Sequence, residues 1–419
     1  MAKTQVIDLE NGRVTARGAI TYLPEPEPRE LWSPIISVDD HVLEPADLFL
    51  RRLPSRFIDA APHVEEDEDG VPYWVIGDFR EPMRMTTCGA VGRPMEEWSL
   101  APQKYEEFRR GVYDVDSRIA DMDINGIYAS LNFPSFVFGF AGRRLSMQPD
   151  ENLALACLRA YNDWMLEEWC GTYPDRFIPC QLPWLRDPMV AAEEVRANAA
   201  RGFKAVSFIE NPEELDLPHI YSRHWDPFFA ACEETETVIN LHIGSSGRVE
   251  RPSSVSPIDV GVALFPIVSI SSLVDWTFSK IPLRFPRIKI ALSEGGISWV
   301  PMALERLTRS YRQAESSSYW TPADPDPVEI VHRNFWFTSI EDPSGFRLLD
   351  LIGEDKVMLE SDYPHADSSW PDTQALARRD LQHLSGATIR KVCFENAASL
   401  YRHPLPPNDL VAGSVIGLG

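Results

Sequence analysis

Val38-Asp39-Asp40-His41-Val42-Leu43-Glu44 follows directly on Ile35-Ile36, and the reading of this junction decides how the rest of the chain is understood. An apolar run that ends in Asp-x-His sets a carboxylate and an imidazole two residues apart. On a β-strand, residues i and i+2 share a face, so Asp39 and His41 project into the same space. Glu44 can reach back from the loop that follows. Carboxylates and imidazoles gathered at the end of an early strand are the donors a divalent metal takes. A capping Asp beside a surface His would leave the same letters, so the other strand ends decide the matter.

Short β-type runs fall at 35–39, 127–132, 176–181, 205–210, 238–242, 289–294, 335–340 and 357–362. Helical periodicity lies between them, most clearly at 151–169, 188–200, 227–236, 299–313 and 387–401. Alternation of strand and helix implies parallel pairing, and eight such units close most simply into a (β/α)8 TIM barrel. An open doubly wound sheet would need a Gly-rich phosphate turn after its first strand, and the sequence has none there.

Outside this frame, residues 1–33 are polar and proline-rich (Pro24, Pro26, Pro28) and read as an N-terminal arm before a barrel domain at 34–403. A long insertion between strands 1 and 2, about 45–126, holds the acidic run Glu65-Glu66-Asp67-Glu68-Asp69 and a hairpin-like Tyr73-Trp74-Val75-Ile76. A connection of that length is usually a subdomain or a lid. Residues 404–419 read as a loose C-terminal tail.

The 419 residues, 44% hydrophobic, suffice for a large core, and the formal charge of -23 argues against nucleic acid and anionic membrane surfaces as partners. Six cysteines (Cys88, Cys157, Cys170, Cys180, Cys232, Cys393) without CxxC pairing suggest buried thiols in a reducing compartment. With no signal-peptide core and no apolar run long enough to span a bilayer, a cytoplasmic protein is expected.

In a barrel, the C-terminal ends of the strands converge on one mouth. Those ends supply Asp39, His41 and Glu44, then Glu210, His242, Glu294, and finally Asp362 and His365. One strand-end histidine is more often structural than a ligand. Donors from five strand ends meeting at one functional face are far harder to explain that way.

The pieces Asp39-x-His41, Leu241-His242-Ile243-Gly244, Glu294-Gly295-Gly296-x-x-Trp299-x-Pro301, Ser361-Asp362-Tyr363-Pro364-His365 and Glu395-Asn396-Ala397-Ala398 together resemble the amidohydrolase superfamily. The branch they are most similar to is the amidohydrolase-related one of aminocarboxymuconate-semialdehyde decarboxylase, over residues 34–402. The resemblance implies that Asp39, His41, His242 and Asp362 are metal ligands, and it suggests a homodimer. Two departures stand out. Decarboxylases and hydrolases of the family usually carry His where Glu294 stands. Binuclear relatives use a carboxylated strand-4 Lys, whereas here Lys204 lies at the wrong end of strand 4 and Glu210 at the right one.

Five carboxylates (Asp39, Glu44, Glu210, Glu294, Asp362) and three imidazoles (His41, His242, His365) exceed the needs of one catalytic zinc. They suit two divalent ions, with iron favoured and a single zinc or manganese as the alternative. Glu294, Asp362 and His365 are the expected catalytic groups. Phe133, Phe136 and Phe138 follow strand 2, and Trp299 and Trp370 follow strands 6 and 8; they either receive a large apolar substrate or cap the barrel. His219 and His224, after strand 4, are either acid/base groups or structural.

The carboxylate-rich mouth resembles the non-haem di-iron monooxygenase offshoot of diterpenoid antibiotic (platensimycin/platencin-type) biosynthesis. The leading expectation is therefore hydroxylation of an apolar, terpenoid-like small molecule with an external electron donor. The alternatives are metal-assisted hydrolysis of a C–N or C–O bond and non-oxidative decarboxylation. A non-enzymatic binding protein would leave the donor constellation idle.

Overall fold

In the computed structural model, which describes residues 20–68, 70–313 and 319–417, the opening junction is one strand. This strand, β1 (Ile35–Val42), is buried along its whole length, as a barrel strand must be with the interior on one side and helices on the other. It runs past the expected end at 39, so Asp39 and His41 are strand residues, held by the ladder rather than by a loop. Next come β2 (Ile127–Pro134) and a broken β3, whose halves are Phe177–Ile178 and Cys180–Gln181. Then follow β4 (Ala205–Phe208), β5 (Val238–His242), β6 (Ile290–Ser293), β7 (Phe335–Ser339) and β8 (Val357–Leu359). All pair in parallel in barrel order. The fold is the expected TIM barrel.

Besides register shifts at Ile35/Ile36 and Ser37/Asp40 where β1 meets β2, two places interrupt the ladder. At β3 the first half pairs with β2 and the second with β4, because Pro179 between them has no amide hydrogen to donate. Its carbonyl still accepts from the amides of Lys204 (3.0 Å) and Ala205 (3.3 Å). The second is the closure between β8 and β1, which bears on function. There the Asp362 amide donates to the Asp39 carbonyl (2.9 Å) and the His41 amide to the Tyr363 carbonyl (2.6 Å). Asp40 ties the same seam with its carboxylate, accepting from Ser37 Oγ (3.0 Å), Ser361 Oγ (2.6 Å) and the Tyr363 amide (3.0 Å).

Helices cover the barrel near the expected positions. Pro188–Arg201 starts with Asp187 capping the amides of Met189 and Val190, and Pro at its first turn costs no hydrogen bond. Glu151–Trp164 passes into a wide turn at Met165–Trp169.

The insertion carries a three-stranded antiparallel sheet, His63–Glu66, Pro72–Ile76 and Phe79–Pro82. Trp74 anchors it, packed edge-on against Phe49 (6.0 Å) and Phe138 (5.0 Å). Further along, the amides of Ala90 (2.8 Å) and Val91 (3.3 Å) donate to the Pro364 carbonyl, and the Ala366 amide donates to the Thr86 carbonyl (3.2 Å). The insertion thus lies against the loop that follows β8.

Residues 1–19 of the expected arm, Asp69 of the acidic run, and residues 418–419 fall outside the described residues. The segment expected as a loose tail contains a helix, Asn408–Gly413, and the amides of Val415 and Ile416 donate to the carbonyls of Leu31 and Trp32. All six cysteines are buried free thiols. Among the described residues, no helix is long and apolar enough to cross a membrane.

Candidate metal centre

β1 presents Asp39 and His41 on one face, β5 ends in His242, and the backbone just beyond β8 presents Asp362. The four side chains are at most 1% exposed. His41 Nε2 lies 3.3 Å from Asp39 Oδ1, 3.3 Å from Asp362 Oδ1 and 3.2 Å from His242 Nε2. His242 Nε2 is also 3.5 Å from Asp39 Oδ1 and 3.4 Å from Glu294 Oε2. On its far side, the His41 ring nitrogen Nδ1 is 3.2 Å from the Pro134 carbonyl, and that of His242 is 2.7 Å from the Ile243 carbonyl. A carbonyl can only accept, so each Nδ1 carries the hydrogen and each Nε2 is turned inward.

This donor set fits a divalent ion. Both carboxylate oxygens of Asp39 and both of Asp362 are buried without a hydrogen-bond donor, as is Nε2 of His365, a rare and costly condition unless something else satisfies them. Ligand bonds of ~2.0–2.2 Å put neighbouring donors on one ion roughly 3–3.5 Å apart, which is the spacing seen here. Without the ion a proton takes its place. Burial disfavours a charged His41, yet the carboxylates of Asp362 and Asp39 outweigh it and raise the imidazole to about 10. Burial likewise works against the anions of Asp362 and Asp39, but His365 and His41 around the first, and His242 and His41 around the second, hold both below the usual carboxylate range.

Glu294 and Asp362 both occupy the left-handed backbone region, with φ of 60° and 49°. Non-glycine residues adopt it at a cost, and such residues cluster at functional sites. Glu294 is the more open of the two, its side chain 12% exposed. Burial, then the charges of Asp362 and Asp367, push its carboxyl well above the usual range. His365 Nδ1 lies 3.0 Å from Asp362 Oδ1, its ring stacks on His41 at 4.0 Å, and burial holds it below its ordinary value.

Six of the eight expected donors meet here, and two do not. Glu44 is fully buried, but its oxygens accept from the amide (3.0 Å) and hydroxyl (2.6 Å) of Ser135. Glu210 is held in the same manner by the amide (2.8 Å) and hydroxyl (2.6 Å) of Ser246. Among the described residues, neither joins a group of donors close enough to share an ion. The expectation of a metal-bridging Glu210 is corrected accordingly: it lines a separate cleft of about 600 Å³ with His219, Tyr221, Arg248 and Asp275. His219 therefore faces that cleft, and His224 packs edge-on to Trp225.

The aromatic expectations also need correction. Phe133 is wholly buried beneath His41 and His242 (5.7 and 5.0 Å). Phe138 points away into the insertion against Phe49 and Trp74. Trp299 bonds the Gly295 carbonyl (2.7 Å) and Trp370 the Asp121 carbonyl (3.1 Å), so both brace loops. Phe136 is partly open, beneath the Arg144 guanidinium. The ring that does lie on the centre is Phe140, 4.0 Å from His242 and 4.7 Å from His41. Sequence reasoning noted the phenylalanine run without singling this ring out, since nothing in the run tells one phenylalanine from another. It also missed Asp367, which shares a close group with Glu294 and Asp362 and whose loop position follows no strand or helix period. Glu360 was legible as an alternate-position neighbour of Asp362; its carboxylate accepts from Thr338 Oγ1 and the Glu294 amide.

The chain is similar to known proteins over most of its length. Residues 106–403 match the amidohydrolase family model. A γ-resorcylate decarboxylase from Rhizobium sp. (strain MTP-10005) is 23% identical over 315 residues, 69% of this chain and 90% of that protein. An amidohydrolase from Mycobacterium avium subsp. paratuberculosis superposes with a TM-score of 0.69 at 25% identity, over 88% of this chain and 99% of its own. A dihydroxybenzoic acid decarboxylase from Polaromonas sp. JS666, crystallised with manganese and the inhibitor 2-nitroresorcinol, superposes with a TM-score of 0.61 at 17% identity, over 88% and 97% of the two chains.

Proposed function

The chain belongs to the amidohydrolase family, and we propose that it is a divalent-metal-dependent carboxy-lyase that removes a carboxyl group from an organic acid without an oxidant. The observation that carries this reading is the inward convergence of His41 Nε2 and His242 Nε2, 3.2 Å apart, on carboxylates that lack hydrogen-bond donors. The decarboxylase relatives support it over the oxygenase expectation, and manganese in one of them makes that ion the first to test.

Asp39, His41, His242 and Asp362 would hold the ion. When bound, it would supply Lewis-acid fixation of a substrate carboxylate. The chain's own groups do the rest. Phe140 closes one wall of the mouth and limits water at the reacting carbon. Glu294, its carboxyl pushed above the usual range by burial and by Asp362, faces the same space and is placed to deliver a proton. Breaking the C–C bond releases carbon dioxide and leaves the electron pair on carbon, and that carbon takes the Glu294 proton. The apolar small-molecule substrate and the homodimer stay part of this proposal; an external electron donor does not.

The decisive experiment gives the manganese-loaded protein a panel of hydroxybenzoic acids, γ-resorcylate among them, under nitrogen. Carbon dioxide release without oxygen is expected. Turnover only with oxygen, iron and a reductant would overturn the reading in favour of the oxygenase.

A further inference from the structure

We propose that Arg118 is a positioning residue for the metal centre, its guanidinium fork clamping the His41 carbonyl and so fixing how His41 and Asp362 face the ion. The proposal rests on the reading of these two side chains as metal ligands. Arg118 lies on the helix Val115–Asn125 and is 1% exposed. Its Nη2 donates to the His41 carbonyl (2.6 Å) and its Nε to the Gly111 carbonyl (2.6 Å). A buried guanidinium is ordinarily matched by a carboxylate. Among the described residues, Arg118 forms no ion pair; two carbonyls and the ring faces of Tyr363 (4.2 Å) and Trp169 (5.2 Å) meet its charge instead. Its Nη1 is buried without an acceptor. An apolar side chain would fill this space at less cost in desolvation, but it could not supply the pair of donors.

The place of this donor follows from how the barrel closes. The His41 amide donates to the Tyr363 carbonyl (2.6 Å), and in a parallel ladder the His41 carbonyl would then accept from an amide just beyond. None is there to give. Pro364 has no amide hydrogen, and the His365 amide donates to the Asp362 carbonyl (3.0 Å). Arg118 Nη2 supplies the missing bond, so the His41 peptide is held on both sides. Tyr363 follows Asp362 in the chain, and its ring lies under the same guanidinium. One side chain thus touches the backbone of one ligand and the neighbour of another, whose Nε2 and Oδ1 atoms stand 3.3 Å apart. Metal ligands tolerate displacements of only about 0.2 Å, and a His41 peptide free to tilt would carry its ring further than that.

The test compares the full-length protein with R118M, R118K and D114A by calorimetric manganese titration and by the visible spectrum of the cobalt-loaded protein, which reports ligand geometry. R118M removes both donors at similar length, and R118K keeps the charge but loses the fork. Asp114 accepts from the amide (2.9 Å) and hydroxyl (2.6 Å) of Ser117, so D114A loosens the same helix without touching the guanidinium. R118M and R118K should each weaken manganese binding about tenfold or more and shift the cobalt spectrum. D114A should lower the melting temperature and leave metal affinity and spectrum as they are. Should R118M fail to fold, R118K carries the test alone. Unchanged affinity and spectrum in R118K, or equal losses in D114A, would overturn the positioning role and leave the reading of the centre intact. An unaltered protein that binds no manganese would overturn the centre itself, and the proposal with it.

Discussion

Asp362 and Glu44 show how two buried carboxylates at the same barrel mouth take opposite roles. Asp362 has two oxygens without donors and two imidazoles beside it, whereas both oxygens of Glu44 are taken up by Ser135. Burial raises Glu44 to about 7, the donors from Ser135 only partly opposing it. D362A should therefore lower manganese affinity more than ~100-fold, since even outer partners of metal ligands are worth ~10–100-fold. E44Q should leave that affinity within about threefold but lower stability by ~1–3 kcal/mol, because the amide group meets a Ser135 donor. Calorimetric metal titration and urea denaturation of the two variants separate the roles; a large metal defect in E44Q would restore Glu44 as a ligand.

At the scale of elements, the centre depends on how β8 and β1 close the barrel. Hydrogen bonding between them continues past the last residue of β8, through Asp362 to Asp39 and His41 to Tyr363. Asp40, on the face opposite Asp39 and His41, fastens the seam with three bonds. D40A should cost about 2–4 kcal/mol, as three buried donors lose their acceptor, and weaken manganese binding about tenfold by loosening the registry of Asp39 and Asp362. Thermal melts and metal titration check this; unchanged values for both would show that the seam holds without Asp40. All eight strands were legible from local pattern, because short apolar β-type runs alternating with helical periodicity are written along the chain. Their ends were not. β1 runs on to Val42 and β8 stops at Leu359, since partners distant in sequence decide where a ladder ends.

For the whole molecule, the metal-free centre is a store of pH dependence. Asp362 and Asp39 outweigh burial and raise His41 from 6.5 to about 10. The folded chain then binds this proton more tightly than the unfolded chain does. The resulting stabilisation is complete below 6.5 and is lost as pH rises through about 10. Asp367, raised from 3.8 to about 8 by burial and by Asp362, acts in the same direction at lower pH. Chelated protein should therefore melt at steadily lower temperature between pH 6.5 and 10, and manganese-saturated protein should melt higher with a flatter profile. A hundredfold excess of metal over its dissociation constant adds about 2.7 kcal/mol. Parallel profiles with and without manganese would show that His41 does not exchange its proton for the ion.

The family resemblance implied the quartet of Asp39, His41, His242 and Asp362, whereas local pattern set out the eight alternating units, the mouth to which their ends lead, and the donors at those ends. Each of these depends on local periodicity and on residue chemistry at a strand end. The folded arrangement settled which of the remaining donors come within an ion's reach. It set Glu44 and Glu210 aside on serine hydroxyls and amides, brought Asp367 in, and chose Phe140 from a run of similar rings. The reason is physical: a metal site selects donors to within a few tenths of an ångström, and that precision comes from side-chain packing and loop closure between segments hundreds of residues apart.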